Sequence, residues 1–331
     1  MENNHPKVNF GKTGVLIINL GTPDSTSWLD IRKYLKEFLS DRRVIEVNPI
    51  LWKIILNLFI LTFRPSKTAK AYNKIWLKKE NMSPLRFYTL RQSKKLSEAI
   101  KNDKVLVDYA MRYGNPSIKS VIRKLHNQGC ENLIILPLYP QYASATTASV
   151  CDEVYKTLSK MRWQPSLQVI PHYESEPMYI DALVNSINKK ISEINWKPDL
   201  VVASYHGIPK NYFEKGDPYQ CYCQKTSRLI SEKFNKIPLI TTFQSRFGPQ
   251  EWLQPYTDKT FEKLPSEGKK NILIICPGFS SDCVETLEEI SIQGKETFIG
   301  AGGDNFDLIP CLNDNDDHIN LFKNLVSKYI L

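Results

Sequence analysis

Asp199-Leu200-Val201-Val202-Ala203-Ser204-Tyr205-His206-Gly207-Ile208-Pro209 opens on a polar residue, runs apolar and stops at a glycine and a proline. The apolar run after Asp199 reads as a strand buried on both faces, as in parallel sheets. Gly207 and Pro209 cannot continue a regular strand interior. His206 therefore falls at the strand's carboxyl end, the edge at which open α/β sheets bind ligands. The design recurs at Asn271-Ile272-Leu273-Ile274-Ile275-Cys276-Pro277-Gly278-Phe279, followed by Ser280-Ser281-Asp282-Cys283-Val284-Glu285. Here a carboxylate follows the Pro-Gly stop, in the first turn of a helix. His206 and Glu285 are expected to face each other across one cleft and to handle a metal ion together.

Outward from these stretches, buried runs ending in turns recur at residues 14–23, 105–116, 133–140, 167–170 and 238–249. Between them, apolar residues at helical spacing predict helices at 28–39, 72–79, 89–101, 117–128, 148–160, 178–194 and roughly 316–329. Strands alternating with helices argue for right-handed βαβ units and parallel sheets. Roughly seven strands suit two open sheets of about four. The expected class is α/β, with two Rossmann-like domains, each a roughly four-stranded parallel sheet flanked by helices. The least structured join, Arg162-Trp163-Gln164-Pro165, is the expected boundary, with a ligand cleft between the halves.

Apolar content of 42% and charged content of 24% are those of a soluble globular protein rather than a disordered or membrane-embedded one. Residues 1–7 lack the apolar core of a secretory signal, and disorder is expected only at that end. Seven scattered cysteines then read as thiols, and the expected compartment is the cytoplasm. A net charge of +9 favours an anionic partner, but no basic stripe with a reading motif is present, so nucleic acid is not expected. Gly-x-Gly-x-x-Gly, P-loop and Gly-x-Ser-x-Gly patterns are absent from the sequence.

The 50–63 segment, from Ile50 to Phe63, is apolar on nearly every side. It is shorter than the about 20 residues a bilayer span needs. It reads either as a buried core helix or as a greasy lip wetted by lipid or a large flat ligand, and the lip is preferred.

His206 alone would read as a hydrogen-bonded structural histidine; the following glycine, which lets a ligand approach the backbone, raises its standing. Asp282 and Glu285 also fit a capping box, which needs no metal. Against that, Glu285 and Glu289 repel at four-residue spacing, as if lining the way of a cation, with Glu288 beside them. Cys221-Tyr222-Cys223 lacks metal or redox spacing and reads as two thiols early in a helix. Aromatic residues and arginines cluster at successive strand ends, among them Arg64, Arg112-Tyr113, Tyr139, Tyr142, Trp252 and Phe279. They suit a flat, aromatic, anionic ligand.

These residues resemble the ferrochelatases, lyases that insert ferrous iron into a porphyrin at the last stage of haem synthesis. The resemblance covers nearly the whole chain. It runs through Asn19-Leu20-Gly21-Thr22-Pro23, Met111-Arg112-Tyr113-Gly114-Asn115-Pro116, Leu138-Tyr139-Pro140-Gln141-Tyr142 and Ser204-Tyr205-His206-Gly207. It continues through Gly216-Asp217-Pro218-Tyr219, Phe243-Gln244-Ser245-Arg246-Phe247-Gly248-Pro249 and Phe279-Ser280-Ser281-Asp282-Cys283-Val284-Glu285-Thr286-Leu287.

The resemblance implies two similar chelatase-like domains. The first takes residues 1–165 plus 312–331, where the last helix returns; the second takes 166–311. It implies that His206 and Glu285 are the catalytic and metal-handling pair. It also implies that Arg64, Ser83 and Ser245 lie near the porphyrin propionates. Tyr72, Arg112, Tyr139, Trp252 and Phe279 would line the pocket, and the 50–63 lip would rest on the inner membrane face. Cys283 stands where some relatives have histidine, and Gln293 where an acidic ridge continues in some. Ser144 occupies the turn that carries a cluster cysteine in other members, and no cysteine follows Cys311, so no [2Fe–2S] cluster is expected. Fe2+ enters as a substrate, with no permanently bound cofactor.

Insertion displaces two pyrrole N–H protons, which requires an acceptor titrating near neutrality; imidazole is the usual choice. Imidazole and carboxylate both suit Fe2+, and His206 and Glu285 can divide the roles either way. Gripping the ring off-plane would expose its lone pairs at the expense of binding energy elsewhere. The expected function is insertion of Fe2+ into protoporphyrin IX to give protohaem, by a cytoplasmic enzyme peripherally attached to the membrane. The alternatives are the same reaction on coproporphyrin III, for which a more polar lip is expected, and a non-catalytic haem or metal carrier on the same scaffold.

Overall fold

Val15, Leu16, Ile17 and Ile18 are wholly shielded from solvent. They form the middle of β1 (Lys12–Thr22) in the computed structural model, which describes residues 10–330. The expectations for residues 1–7 lie outside the described residues. β1 pairs in parallel with β2 (Val105–Gly114) and β3 (Cys130–Pro137), and β4 (Ser166–Val169) adds beyond β3. In the second sheet β5 (Leu200–His206) lies between β6 (Leu239–Gln244) and β7 (Asn271–Ile275), with β8 (Asn305–Leu308) outside β7. Both sheets are all-parallel and four-stranded, in the orders β2-β1-β3-β4 and β6-β5-β7-β8. The same winding is used twice.

Four differences from the sequence reading have physical causes. β8 was not foreseen, because a four-residue strand after Gly302-Gly303-Asp304 is too short for periodicity to reveal. The boundary expected at 162–165 falls too early. Ser166–Val169 hydrogen-bonds to β3, so the first sheet continues past that join and the chain crosses between sheets before the helix Pro177–Glu193. The helix expected from residue 89 instead spans Pro84–Ile100. Ser83 caps it, accepting from the Arg86 N–H at 3.2 Å, and Pro84 takes the first helical position. The helix expected at 72–79 is the end of Leu61–Ile75, after which Leu77 and Met82 pair in a small hairpin.

The 50–63 segment is not a core helix. It forms the helix Pro49–Ile55, a wide π turn Leu56–Ile60 and the start of Leu61–Ile75. Ile50, Leu51, Ile54, Leu58, Phe59 and Phe63 are each exposed by half or more. Leu56 and Leu61 turn inward to a cluster with Leu35, Tyr72 and Tyr113. Pro65, inside the helix, cannot donate to the Leu61 carbonyl, and Arg32 Nε does so at 3.2 Å. No helix among the described residues is long and apolar enough to cross a membrane.

One apolar cluster runs through both sheets, joining Val15, Ile17, Val201, Ala203, Leu273 and Phe322. The outer faces keep clusters of their own, around Ile122 and Val150 and around Phe261 and Phe298. The last helix, Asp316–Ser327, packs on both Pro84–Ile100 and Pro177–Glu193. It carries buried His318, whose Nδ1 donates to the Asn313 carbonyl at 2.7 Å.

Burial pushes the His318 imidazole down to about 4, against that hydrogen bond. It stays neutral in the fold while the unfolded chain protonates near pH 6.5. Stability should therefore hold above pH 6.5 and fall between there and about pH 4, by on the order of 3 kcal/mol. Denaturant unfolding at pH 7 and pH 5 should show about 2 kcal/mol of this loss, and His318→Gln, which cannot titrate, should shrink it.

Candidate active site

β5 delivers His206 to the sheet's carboxyl edge, in register with Gln244 of β6. The His206 Nδ1 lies 2.6 Å from the Gly207 carbonyl. A carbonyl only accepts, so Nδ1 carries its hydrogen and Nε2 holds the free lone pair of the neutral ring. Gly207 is needed for a close approach of backbone. A Cβ there would stand 2.9 Å from the Gln244 carbonyl oxygen and 3.3 Å from the Trp252 ring. The glycine thus admits the end of β6 at a position that also lines the cleft.

Glu285 begins a π-helix, Glu285–Gly294, wound with i→i+5 hydrogen bonds. Buried Gln244 donates from Nε2 to the Glu285 carbonyl at 2.8 Å and accepts from Ser204 Oγ at 2.8 Å. Ser204 continues to Thr257 and Thr242. The capping-box alternative is not realised. Asp282 instead accepts from Thr286 Oγ1, the Cys311 N–H and Asn313 Nδ2. Glu289 accepts from Ser245 Oγ, and burial raises its carboxyl above the ordinary range despite that bond and the nearby His206. Glu288 leaves the row and turns to Lys74 of the lip helix, Leu61–Ile75, which continues the lip inward.

His206, Glu285, Tyr139, Trp252 and Phe279 line one cleft that opens to solvent. Trp252 is held by Nε1 donating to the Phe247 carbonyl at 3.0 Å. Apolar side chains, among them Leu20, Val44 and Leu85, complete the walls.

The other candidates stand elsewhere. Arg64 lies on the lip with its guanidinium 4.5 Å from the Phe247 ring centre. Tyr72 is buried behind the cleft, within reach of the Glu285 charge. Ser83 serves as a helix cap, and Ser245, at φ +68°, hydrogen-bonds Glu289. Arg112 turns away from the cleft. Its Nη2 reaches Asp41 at 2.5 Å and its Nε reaches Ser149 Oγ at 2.7 Å. Cys221 is exposed and Cys223 buried in the helix Tyr219–Lys233, both as free thiols.

Sequence reasoning missed Tyr212. Its hydroxyl donates to the Val44 carbonyl at 3.1 Å and accepts from the Glu46 N–H at 3.0 Å. With the Lys215–Glu46 ion pair at 2.6 Å, it straps residues 40–48 across the cleft rim. Nothing local in Asn211-Tyr212-Phe213 signals this, because the partners are 166 positions or more away.

Gln244→Leu should take one partner from the Glu285 carbonyl and one from the Ser204 hydroxyl, which keeps Thr257. The expected cost is about 2 kcal/mol of stability, from two buried hydrogen bonds lost. Denaturant unfolding should show this loss.

A family model described as Ferrochelatase matches residues 12–330. The chain is 54% identical over 327 residues to the ferrochelatase of Allorhizobium ampelinum, covering 98% of this chain and 95% of that one. It is likewise 54% identical over 327 residues to the ferrochelatase of Rhizobium meliloti, covering 98% and 96%. Among solved structures, SirB from Bacillus subtilis with Fe3+ superposes with a TM-score of 0.56 at 14% identity, covering 96% of this chain and 95% of that one. Identity that low shows a shared fold alone, and this fold is the two-domain chelatase arrangement. The match along almost its full length places the chain in the ferrochelatase family.

Proposed function

We propose that the cleft holds the porphyrin, that His206 Nε2 accepts the pyrrole protons and that Glu285 presents the iron. The chain's reaction, insertion of Fe2+ into protoporphyrin IX with release of two protons, sets the requirements. A base must reach the ring nitrogens, and a metal donor must let go as those nitrogens take over. The observation that carries the assignment is the His206 Nδ1 contact with the Gly207 carbonyl, which leaves Nε2 as the ring's basic atom in the cleft that Glu285 also lines. A backbone-locked tautomer is ready to accept a proton without reorganising. Glu285, with Glu289 behind it, offers oxygen donors that suit Fe2+ and stay labile.

Tyr139, Trp252 and Phe279 would stack on the macrocycle and Tyr72 would back the pocket behind Glu285. Arg64, unpaired among the described residues, together with Ser83 and Ser245, would meet its propionates. Arg112 is assigned an indirect part: through Asp41 it anchors residues 40–48, which carry Val44 to the cleft. The domains divide beyond β4, with the last helix belonging to the first. The exposed Ile50, Ile54, Leu58 and Phe63 form an apolar patch suited to the inner membrane surface, so we infer a cytoplasmic protein held peripherally there. The same patch favours protoporphyrin IX over the tetra-acid coproporphyrin III.

His206→Ala should lower turnover by about 10² to 10⁴-fold, the usual contribution of a general base. Porphyrin binding, followed by fluorescence, should persist. Loss of binding with no turnover to lose would indicate a carrier instead. The assay is anaerobic, with Fe2+ and each porphyrin in turn followed by absorbance, and faster use of coproporphyrin III would reverse the substrate preference. Replacing Ile54, Leu58 and Phe63 together by serine should abolish sedimentation with anionic lipid vesicles and leave turnover of detergent-dispersed porphyrin unchanged.

A further inference from the structure

We propose that Lys74, Glu288 and Gln293 form a clasp that fixes the lip helix to the π-helix and thereby sets the place of Glu285. This rests on the assignment of Glu285 to metal transfer. Within five positions the π-helix carries Glu285, Glu288 and Glu289. Glu285 lines the cleft and Glu289 is held by Ser245. Glu288 faces the other domain, with a side chain 7% exposed. A carboxylate so buried is costly unless its oxygens are met. Both are: Lys74 Nζ lies 2.8 Å from Oε1, and Gln293 Nε2 donates to Oε2 at 2.7 Å.

The two helices also meet through apolar side chains. Val284 and Leu287 pack on the cluster of Leu35, Tyr72 and Ile75. Apolar contact is non-directional and would tolerate a slide of one helix along the other. The charged hydrogen bond does not, so it supplies the register. Tyr72, two residues before Lys74, is buried within reach of the Glu285 charge, so a shift of the lip helix is felt at Glu285.

Gln293 follows from the same geometry. Five residues apart on a π-helix are neighbours, so a carboxylate at 293 would repel Glu288, whereas an amide donates to it. The uncharged residue at the point where an acidic ridge continues in some relatives thus serves the clasp. Lys74, its side chain half exposed, keeps the clasp within reach of water.

The test uses the full chain and the variants Lys74→Met, Lys74→Arg and Gln293→Glu, with kcat and KM for Fe2+, porphyrin affinity by fluorescence, and thermal unfolding. Lys74→Met should lower kcat about tenfold, a size usual for one coupled pair of contacting residues, with porphyrin affinity unchanged. Lys74→Arg, which can still pair with Glu288, should recover to within about twofold of the parent. Gln293→Glu should match Lys74→Met, and it decides the matter if Lys74→Met does not fold. Parental kcat in Lys74→Met and Gln293→Glu would overturn the clasp, as would a fall in the Fe2+ KM at unchanged kcat, which marks Lys74 as a competing cation. Failure of Lys74→Arg to recover would overturn it too. Should His206→Ala turn over normally, the site assignment itself fails; normal Lys74→Met beside an inactive His206→Ala removes the clasp alone.

Discussion

Gln244 holds the segments of the chain that carry His206 and Glu285 in one frame. Its main-chain carbonyl accepts from the Gly207 N–H at 2.7 Å, one residue beyond the imidazole. Its side-chain nitrogen donates to the Glu285 carbonyl and its side-chain oxygen accepts from Ser204. The residue is buried, so none of these groups has water as an alternative, and each bond is costly to leave unmade. His206 and Glu285 belong to different strand–helix units; a single amide gives them a common reference. Around it, β5 and β6 supply rigidity that a loop would lack.

The cleft is walled by parts with unequal stability. On the sheet side, the shared apolar cluster joins both domains without a break. On the lip side, the chain exposes a row of large apolar residues and relies on a thin inner layer, Leu56 and Leu61 among them. Polar ties hold that thin side: Arg112 on Asp41, Tyr212 on Val44 and Glu46, Lys74 on Glu288. Such partly exposed bonds open more readily than a core does.

The π-helix accounts for the separation of three acids that look equivalent in sequence. With wider turns than an α-helix, it sends Glu285 to the cleft, Glu289 to Ser245 and Glu288 to Lys74. Burial keeps the Glu289 proton affinity raised, whereas Glu288 has a cation against it. One helix thereby presents three carboxylates in three electrostatic settings.

The chain's own residues determined the strands at 14–23, 199–206 and 271–276, their parallel pairing and the edge at which His206 and Glu285 stand, because continuous apolar runs with Gly or Pro stops admit few other arrangements. The family was equally legible there, through motifs spread along the whole length. Tertiary structure decided the rest. Whether Arg112 faced the ligand or Asp41 depended on a loop 71 residues away. The strap by Tyr212 and the turn of Glu288 to Lys74, 214 positions distant, leave no trace in local pattern. β8 and the true end of the first sheet were hidden because four-residue edge strands borrow their stability from the neighbour they pair with. Local sequence sets the period and the stops; the direction of a polar side chain is set by which distant partner burial brings within hydrogen-bond reach.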